Sequence, residues 1–277
     1  MADAATPVIN PNQALWEKGD FTRIAETMRQ SGQELVDTLG IRPGMKVLDL
    51  GCGDGTTALP AAEYGASVLG VDIAENLVAA GNARARLAGL ENLHFQQGDA
   101  SNLAELDDES FGLVVSIFGA MFAPRPDEVA KEMVRVTRPG GRIVMGNWIP
   151  GDPTLVAQIL KVSSAYTPPP PAGFVSPMSW GDQTIVRQRF TAAGIAEDDI
   201  SVEKSSWFFR EDCAPEHLFE VFRDYYGPMM NAFEAAARDG RQDQLADELK
   251  SLFAAQNQGG ERTEIPATFL KVTVARK

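Results

Sequence analysis

The chain has 277 residues, 44% hydrophobic and 23% charged, the composition of an ordinary globular protein long enough to bury a substantial core. Its formal net charge of −13, unbroken by any run of Lys or Arg, repels phosphate backbones and argues against a nucleic-acid substrate. No apolar run reaches the roughly 18 residues of a membrane span. The opening MADAATPVINPNQ lacks a charged stretch followed by an apolar one, and together these predict a cytoplasmic location.

Strands and helices alternate through the first half. MKVLDL (45–50) is a short apolar run stopped by glycines, and SVLGVDI (67–73) is another, with a helix expected between them from TTALPAAEYG onward. ENLVAAGNARARLAG reads as a second amphipathic helix, NLHFQQGD (92–99) as a third strand and FGLVVSIFG (111–119) as a fourth. PDEVAKEMVRVT (126–137) has Val129, Met133 and Val136 at helical spacing, and RPGG breaks it before a fifth strand, RIVMGNW (142–148). This rhythm predicts an α/β fold, a doubly wound and mostly parallel sheet covered on both faces.

After residue 150 the pattern changes. PTLVAQILKVSSAY (153–166) reads as a helix running into the proline-rich TPPPPAGFVSPMSWGD, an ordered loop or lid. A helix near 181–194 and a strand, SVEKSSWFF (201–209), follow; two or three helices are expected between 211 and 256, and PATFLKVTVARK (266–277) closes as a strand. The two late strands suggest an antiparallel pair completing a seven-stranded sheet. The expected organisation is one structural domain: an N-terminal helical segment over the ligand (1–40), a binding core (41–150), and a completing part (151–277) with helical cap insertions at about 153–180 and 211–256.

The stretch VLDLGCGDG (47–55) poses the functional question. Its three alternating glycines bare the backbone N–H groups and let a ligand approach the main chain, and a helix beginning near Thr56 points its positive end the same way. A dinucleotide and a sulfonium nucleoside both suit such a turn. Strict alternation of Gly51, Gly53 and Gly55, rather than G-x-G-x-x-G, favours the sulfonium ligand, as does the absence of a Tyr-x-x-x-Lys pair for hydride chemistry. Asp72, after the second strand, can take a pair of ribose hydroxyls or cap the next helix. Asp99 ends the third strand, at a ligand edge or in a solvated loop. The two cysteines, Cys52 and Cys213, fit neither a disulfide framework nor a zinc site, so both are expected to be free thiols and no metal is expected.

Four segments in order, VLDLGCGDG, VLGVDIAENLV, QGDA and RVTRPGGRIVM, make the chain resemble a class I S-adenosylmethionine-dependent methyltransferase of the small-molecule subgroup similar to the ubiquinone and menaquinone enzymes. The match is close over 45–148 and only in outline beyond. The resemblance implies a Rossmann-like fold and S-adenosylmethionine as cofactor, with S-adenosylhomocysteine as product. It also implies that Asp49, Gly51, Cys52, Gly53 and Gly55 surround the methionine part, that Asp72 holds the ribose, and that Asp99 and Ala100 meet the adenine. Ile73 and Leu103 would flank that base, with Ser116 and Trp16 as further cofactor contacts.

Methyl transfer mainly requires alignment and exclusion of water, so few catalytic side chains are expected. His217, Tyr225 and Asp20 are the weak candidates for a base, and His94 is expected to be structural. The acceptor pocket is expected above the first and fourth strands, lined by Phe118, Met121, Phe122, Tyr166, Trp180, Phe222, Tyr225 and Tyr226, with Met229 nearby; such rings suit a planar or lipophilic acceptor. The helical excursion at 211–256 and the proline loop depart from the quinone enzymes, so their substrate does not carry over. Asn-Pro-Pro-Tyr is absent, arguing against DNA methylation, and two cysteines are too few for arsenic methylation. What remains is a methyltransferase acting on an O, N or C atom of a small organic molecule, as a monomer or homodimer. The alternatives are a cofactor-binding protein without turnover or an NAD-dependent dehydrogenase.

Overall fold

The structure, a computed structural model, describes residues 11–277, so the first ten residues of the expected 1–40 segment lie outside the described residues. Apolar runs of five to seven residues become the central strands. β1 (Lys46–Leu50) is buried from Val47 to Leu50, and β2 (Ser67–Asp72), β3 (Leu93–Gln97) and β4 (Phe111–Ile117) pack beside it. β5 (Thr137–Trp148), β6 (Ile200–Glu211) and β7 (Thr263–Ala275) are longer. Together they form one seven-stranded sheet in the order β3-β2-β1-β4-β5-β7-β6. β1 to β5 are parallel, and β7 lies antiparallel between β5 and β6.

Side chains alternate across the strands, so each strand feeds two cores. Val47 packs into one cluster with Val36, Ala58 and Phe95, whereas Leu48 and Leu50 join the larger cluster on the opposite face. In chain order the helices are α1 (Pro11–Glu17), α2 (Phe21–Glu26), α3 (Arg29–Thr38), α4 (Ala58–Glu63), α5 (Glu75–Leu87) and α6 (Pro126–Val136). α7 (Leu155–Ser164), α8 (Gln183–Ala192), α9 (Pro215–Tyr225), α10 (Gly227–Arg238) and α11 (Gln242–Gln256) follow. The 211–256 excursion is thus three helices, whose buried Leu218, Phe219, Phe222, Phe233 and Phe253 extend the larger core. Among the described residues no helix is long and apolar enough to cross a membrane.

The largest shift among the expected strands is at the fifth. That strand begins at Thr137 rather than Arg142: α6 already ends at Val136, ahead of the RPGG expected to break it, and the backbone N–H of Gly140 donates to the carbonyl of Arg276 at 2.6 Å and that of Arg276 to Gly141 at 3.0 Å. The C-terminal end of the chain thereby holds the PGG segment in the sheet, at the cost of a register shift opposite Phe111 and Leu113. The proline-rich loop carries no regular element before a 3-10 turn at Pro177–Gly181, and it exposes Phe174 and Val175. In the sheet order, β2 and β4 lie on opposite sides of β1, so the chain reverses its direction of travel there, and the crevice outside those carboxyl ends is where open α/β sheets bind ligands.

Candidate cofactor and acceptor site

The turn after β1 is built by two close approaches. Gly51 has φ +68°, and a Cβ there would lie 2.6 Å from the Cα of Gly119, so the turn after β1 and the turn after β4 touch backbone to backbone. Gly53, at φ +55°, has nothing within 4 Å of where a Cβ would stand, and it lines the cavity. The N–H groups of Gly51 and Cys52 donate to the carbonyl of Val71 at 2.7 and 3.2 Å, tying the turn to the end of β2.

Carboxylates ring this turn. Asp72 accepts from the backbone N–H of Gly53 at 2.8 Å and of Ala74 at 3.0 Å, so it ties the Gly turn to the start of α5 while also lining the cavity. Burial raises its pKa, against the pull of those backbone bonds. Asp49 is 1% exposed; its Oδ2 accepts from the Thr57 hydroxyl and its Oδ1 has no hydrogen-bond partner among the described residues. Burial, opposed by the Thr57 bond and reinforced by the Asp72 charge, pushes its pKa up to about 7. The same burial raises the Cys52 thiol. Asp99 accepts from the N–H and hydroxyl of Ser101 at 2.8 and 2.6 Å and faces Arg125 at 3.3 Å. Asp54, 2% exposed, is forked by Arg29, which also donates to Thr56 at 2.6 Å, while Arg84 reaches the Asp54 carbonyl at 2.6 Å. This clamp fixes the N-terminal helices onto the turn.

Aromatic rings supply the rest of the wall. Phe118, at a left-handed φ of +64°, stacks on Trp148 with ring centres 3.6 Å apart and meets the edge of Trp207 at 5.1 Å. A bulky residue in that conformation is strained, and the packing around it holds it there. Trp16 from α1 meets Phe122 at 4.9 Å, Phe21 at 5.5 Å and Tyr226 at 6.1 Å, and Phe222 stands between Phe209 and Tyr226 at 5.4 Å from each. Burial raises the pKa of Tyr226, and its hydroxyl has no hydrogen-bond partner among the described residues. Turn and rings enclose one cavity of about 1190 Å³, counting its open mouth.

Of the residues singled out in the sequence, Trp16, Gly51, Cys52, Gly53, Asp72, Ile73, Asp99, Ala100, Phe118, Phe122, Phe222 and Tyr226 line this cavity. Asp49, buried on β1, and Gly55, whose N–H closes the turn on the Cys52 carbonyl, do not line it, Ser116 accepts from the N–H of Ala120 at 3.0 Å, and Leu103, Met121 and Met229 are core. Tyr166 instead donates to Glu248 at 2.7 Å with Arg241 over its ring, and Trp180 is buried under Arg189. Asp20 caps α2, and Tyr225 and His217 line a separate surface pocket. His94 sits exposed on β3. Asp54, Thr57, Trp148, Trp207 and Phe209 line the cavity without having been singled out. The period-two alternation in SVEKSSWFF could have marked Trp207 and Phe209 as one inward face.

A family model described as a methyltransferase domain matches residues 48–145, the segment that forms the turn, the carboxylates and β4. "Uncharacterized protein Rv1403c" of Mycobacterium tuberculosis is 35% identical over 230 residues, 82% of this chain and 80% of that one. The chain belongs to the class I S-adenosylmethionine-dependent methyltransferases. Nocamycin O-methyltransferase of Saccharothrix syringae is 37% identical over 128 residues, 45% of each protein. The phosphoethanolamine N-methyltransferase 2 of Haemonchus contortus, solved with S-adenosyl-L-methionine, shares the fold at a TM-score of 0.62 and 17% identity over 98% of this chain and 61% of that one. The cofactor of this methyltransferase is S-adenosylmethionine, and the residues fit it: a cavity-lining turn whose Gly51 and Gly53 carry no side chain, a buried Asp49 oxygen without a partner among the described residues, and a carboxylate at the end of β2.

Proposed function

We propose that the protein transfers a methyl group from S-adenosylmethionine to an oxygen, nitrogen or carbon atom of a small, planar, lipophilic acceptor. One observation carries this reading: a single cavity has two unlike halves, bare backbone and carboxylates on one side and aromatic rings on the other. In this reading Gly51 and Gly53 hold the methionine part with Asp49 behind them, Asp72 accepts from the ribose hydroxyls, Asp99 and Ala100 meet the adenine, and Trp16 covers the cofactor. The bound sulfonium supplies an electrophilic methyl group. The chain's own part is to align the acceptor on Phe118, Phe122, Phe222 and Tyr226 and to keep water out.

Tyr226 is the one titratable side chain on the aromatic wall among the described residues, and burial keeps it protonated. It therefore serves as a hydrogen-bond donor to the acceptor rather than as a base, and the nucleophile arrives as an anion, a free amine or an electron-rich carbon. The same lack of a base favours one second reading, a protein that keeps the cofactor without turnover.

The test is isothermal titration with S-adenosylmethionine and S-adenosylhomocysteine, with NAD as control, followed by product analysis with phenols, amines and quinols. Asp72→Ala should weaken both sulfur nucleosides about 100-fold, the loss of two charge-assisted hydrogen bonds at about 1.5 kcal/mol each. Binding of NAD in their place would overturn the assignment; tight binding with no methylated product from any of the panel would favour the second reading.

A further inference from the structure

Outside the methyl-transfer cavity, the sequence EDCAPEH (211–217) folds three donors of different chemistry onto one another. Glu211 ends β6, Cys213 lies in the following loop and His217 sits in the first turn of α9. One ligand atom from each lies within 4.8 Å of the others. The Nδ1 of His217 is 3.0 Å from Oε2 of Glu211, while the other carboxylate oxygen, Oε1, is buried with no partner among the described residues. The backbone beneath them is held in place: Glu211 pairs with Thr263 across the sheet, and the Thr263 hydroxyl donates to the carbonyl of Cys213 at 2.8 Å. The neighbouring cations are engaged elsewhere, Arg210 with Glu34 and Glu264 at 3.2 Å each and Arg262 with Asp212 at 3.2 Å.

We propose that Glu211, Cys213 and His217 form a binding site for one divalent cation of the zinc type. A thiolate, an imidazole and a carboxylate together suit a borderline-soft ion and not magnesium or calcium. Tetrahedral zinc, with bonds of about 2.0 to 2.3 Å, sets its ligand atoms roughly 3.3 to 3.6 Å apart. Rotations of the exposed Cys213 and His217 side chains close the present gap by about 1 Å, and the cation then bonds to sulfur as the thiol releases its proton to solvent. Two of the three ligands are exposed, so the fourth position takes water. The ion would clasp the end of β6 to the start of α9, the helix that carries Phe222 into the acceptor cavity and runs on to Tyr226. This inference is independent of which acceptor is methylated.

The test uses the untagged, chelator-treated full chain and cobalt(II) as a spectroscopic probe. One cobalt per chain should bind with a sulfur-to-cobalt charge-transfer band in the near ultraviolet, and zinc should displace it. Cys213→Ser should abolish that band, and His217→Ala should weaken binding at least about tenfold, the least that loss of a directly bonded ligand costs when outer-shell changes alone cost 10- to 100-fold. On the unaltered chain, saturating zinc should slow iodoacetamide modification of Cys213 at least about tenfold by the same reasoning. Absence of the band, its persistence in Cys213→Ser, or alkylation of Cys213 unaffected by zinc would each overturn the proposal.

Discussion

Alanine at position 51 separates the two tasks of the turn after β1, holding the fold and receiving the ligand. The left-handed φ of +68° costs an L-residue about 1–2 kcal/mol. The new Cβ would also stand 2.6 Å from the Cα of Gly119 and 2.7 Å from the backbone nitrogen of Ala120, so the turn beneath Phe118 must move, an overpacking cost of about 1–3 kcal/mol. The sum, about 3 kcal/mol, lowers Tm by roughly 6–10 °C for a chain of this size. Gly53→Ala is the matched control. Its φ of +55° carries the same conformational cost, but its Cβ meets nothing within 4 Å, so Tm should fall by only about 3–5 °C. That methyl stands in the cavity, so Gly53→Ala should weaken S-adenosylmethionine more than its stability loss suggests. Thermal unfolding without ligand, followed by calorimetric titration, reads both. Equal Tm values for the two variants would refute the close approach of the turns after β1 and β4.

Asp49 makes the ligand-free protein sensitive to pH. Its folded pKa of about 7 lies above the ordinary 3.8, so its favourable contribution is complete below about pH 3.8 and is lost as pH rises through 7. The span is about 4 kcal/mol at 1.36 kcal/mol per unit. Asp49→Asn should flatten urea-measured stability between about pH 4 and pH 7, leaving a slope of the same sign from Asp72; an unaltered slope would contradict this. Arg29→Ala strips the main partner from the buried Asp54 and should cost about 3–5 kcal/mol, because the remaining charge stays buried. A loss under about 1 kcal/mol in urea unfolding would show that Arg84 alone satisfies the carboxylate. Tyr226→Phe removes a hydroxyl that has no partner among the described residues, so stability should change by less than about 0.5 kcal/mol while the KM for the acceptor rises. An unchanged KM would remove Tyr226 from acceptor recognition.

The parallel half of the sheet was legible in the chain because its signals are local. A short apolar run, a glycine turn and an amphipathic helix repeat within about 30 residues, and each acid at a strand end marks the crevice side of its own unit. VLDLGCGDG, Asp72 and Asp99 therefore led to the cavity they line. The aromatic half was only partly legible. Phe118, Phe122, Phe222 and Tyr226 reach the cavity, but Tyr166 and Trp180, equally aromatic and equally close to proline and helix signals, turn away to Glu248 and Arg189. Trp148 and Trp207 reach it instead, and Phe118 wedges against both in a backbone conformation that no propensity favours.

The mixed donor set at 211–217 escaped because a count of two cysteines speaks against a sulfur-rich zinc site, and although EDCAPEH is contiguous, whether its glutamate, cysteine and histidine turn toward one another is decided by how β6 ends and α9 begins. What the sequence determined by itself is the repeating βαβ core and the family to which it belongs, since hydrophobic period and turn chemistry act between near neighbours. What only the tertiary structure decided is which rings face the cavity and which charges end up paired, because those choices depend on contacts across more than a hundred residues, where β7 inserts between β5 and β6 and carries Phe269 against Phe118.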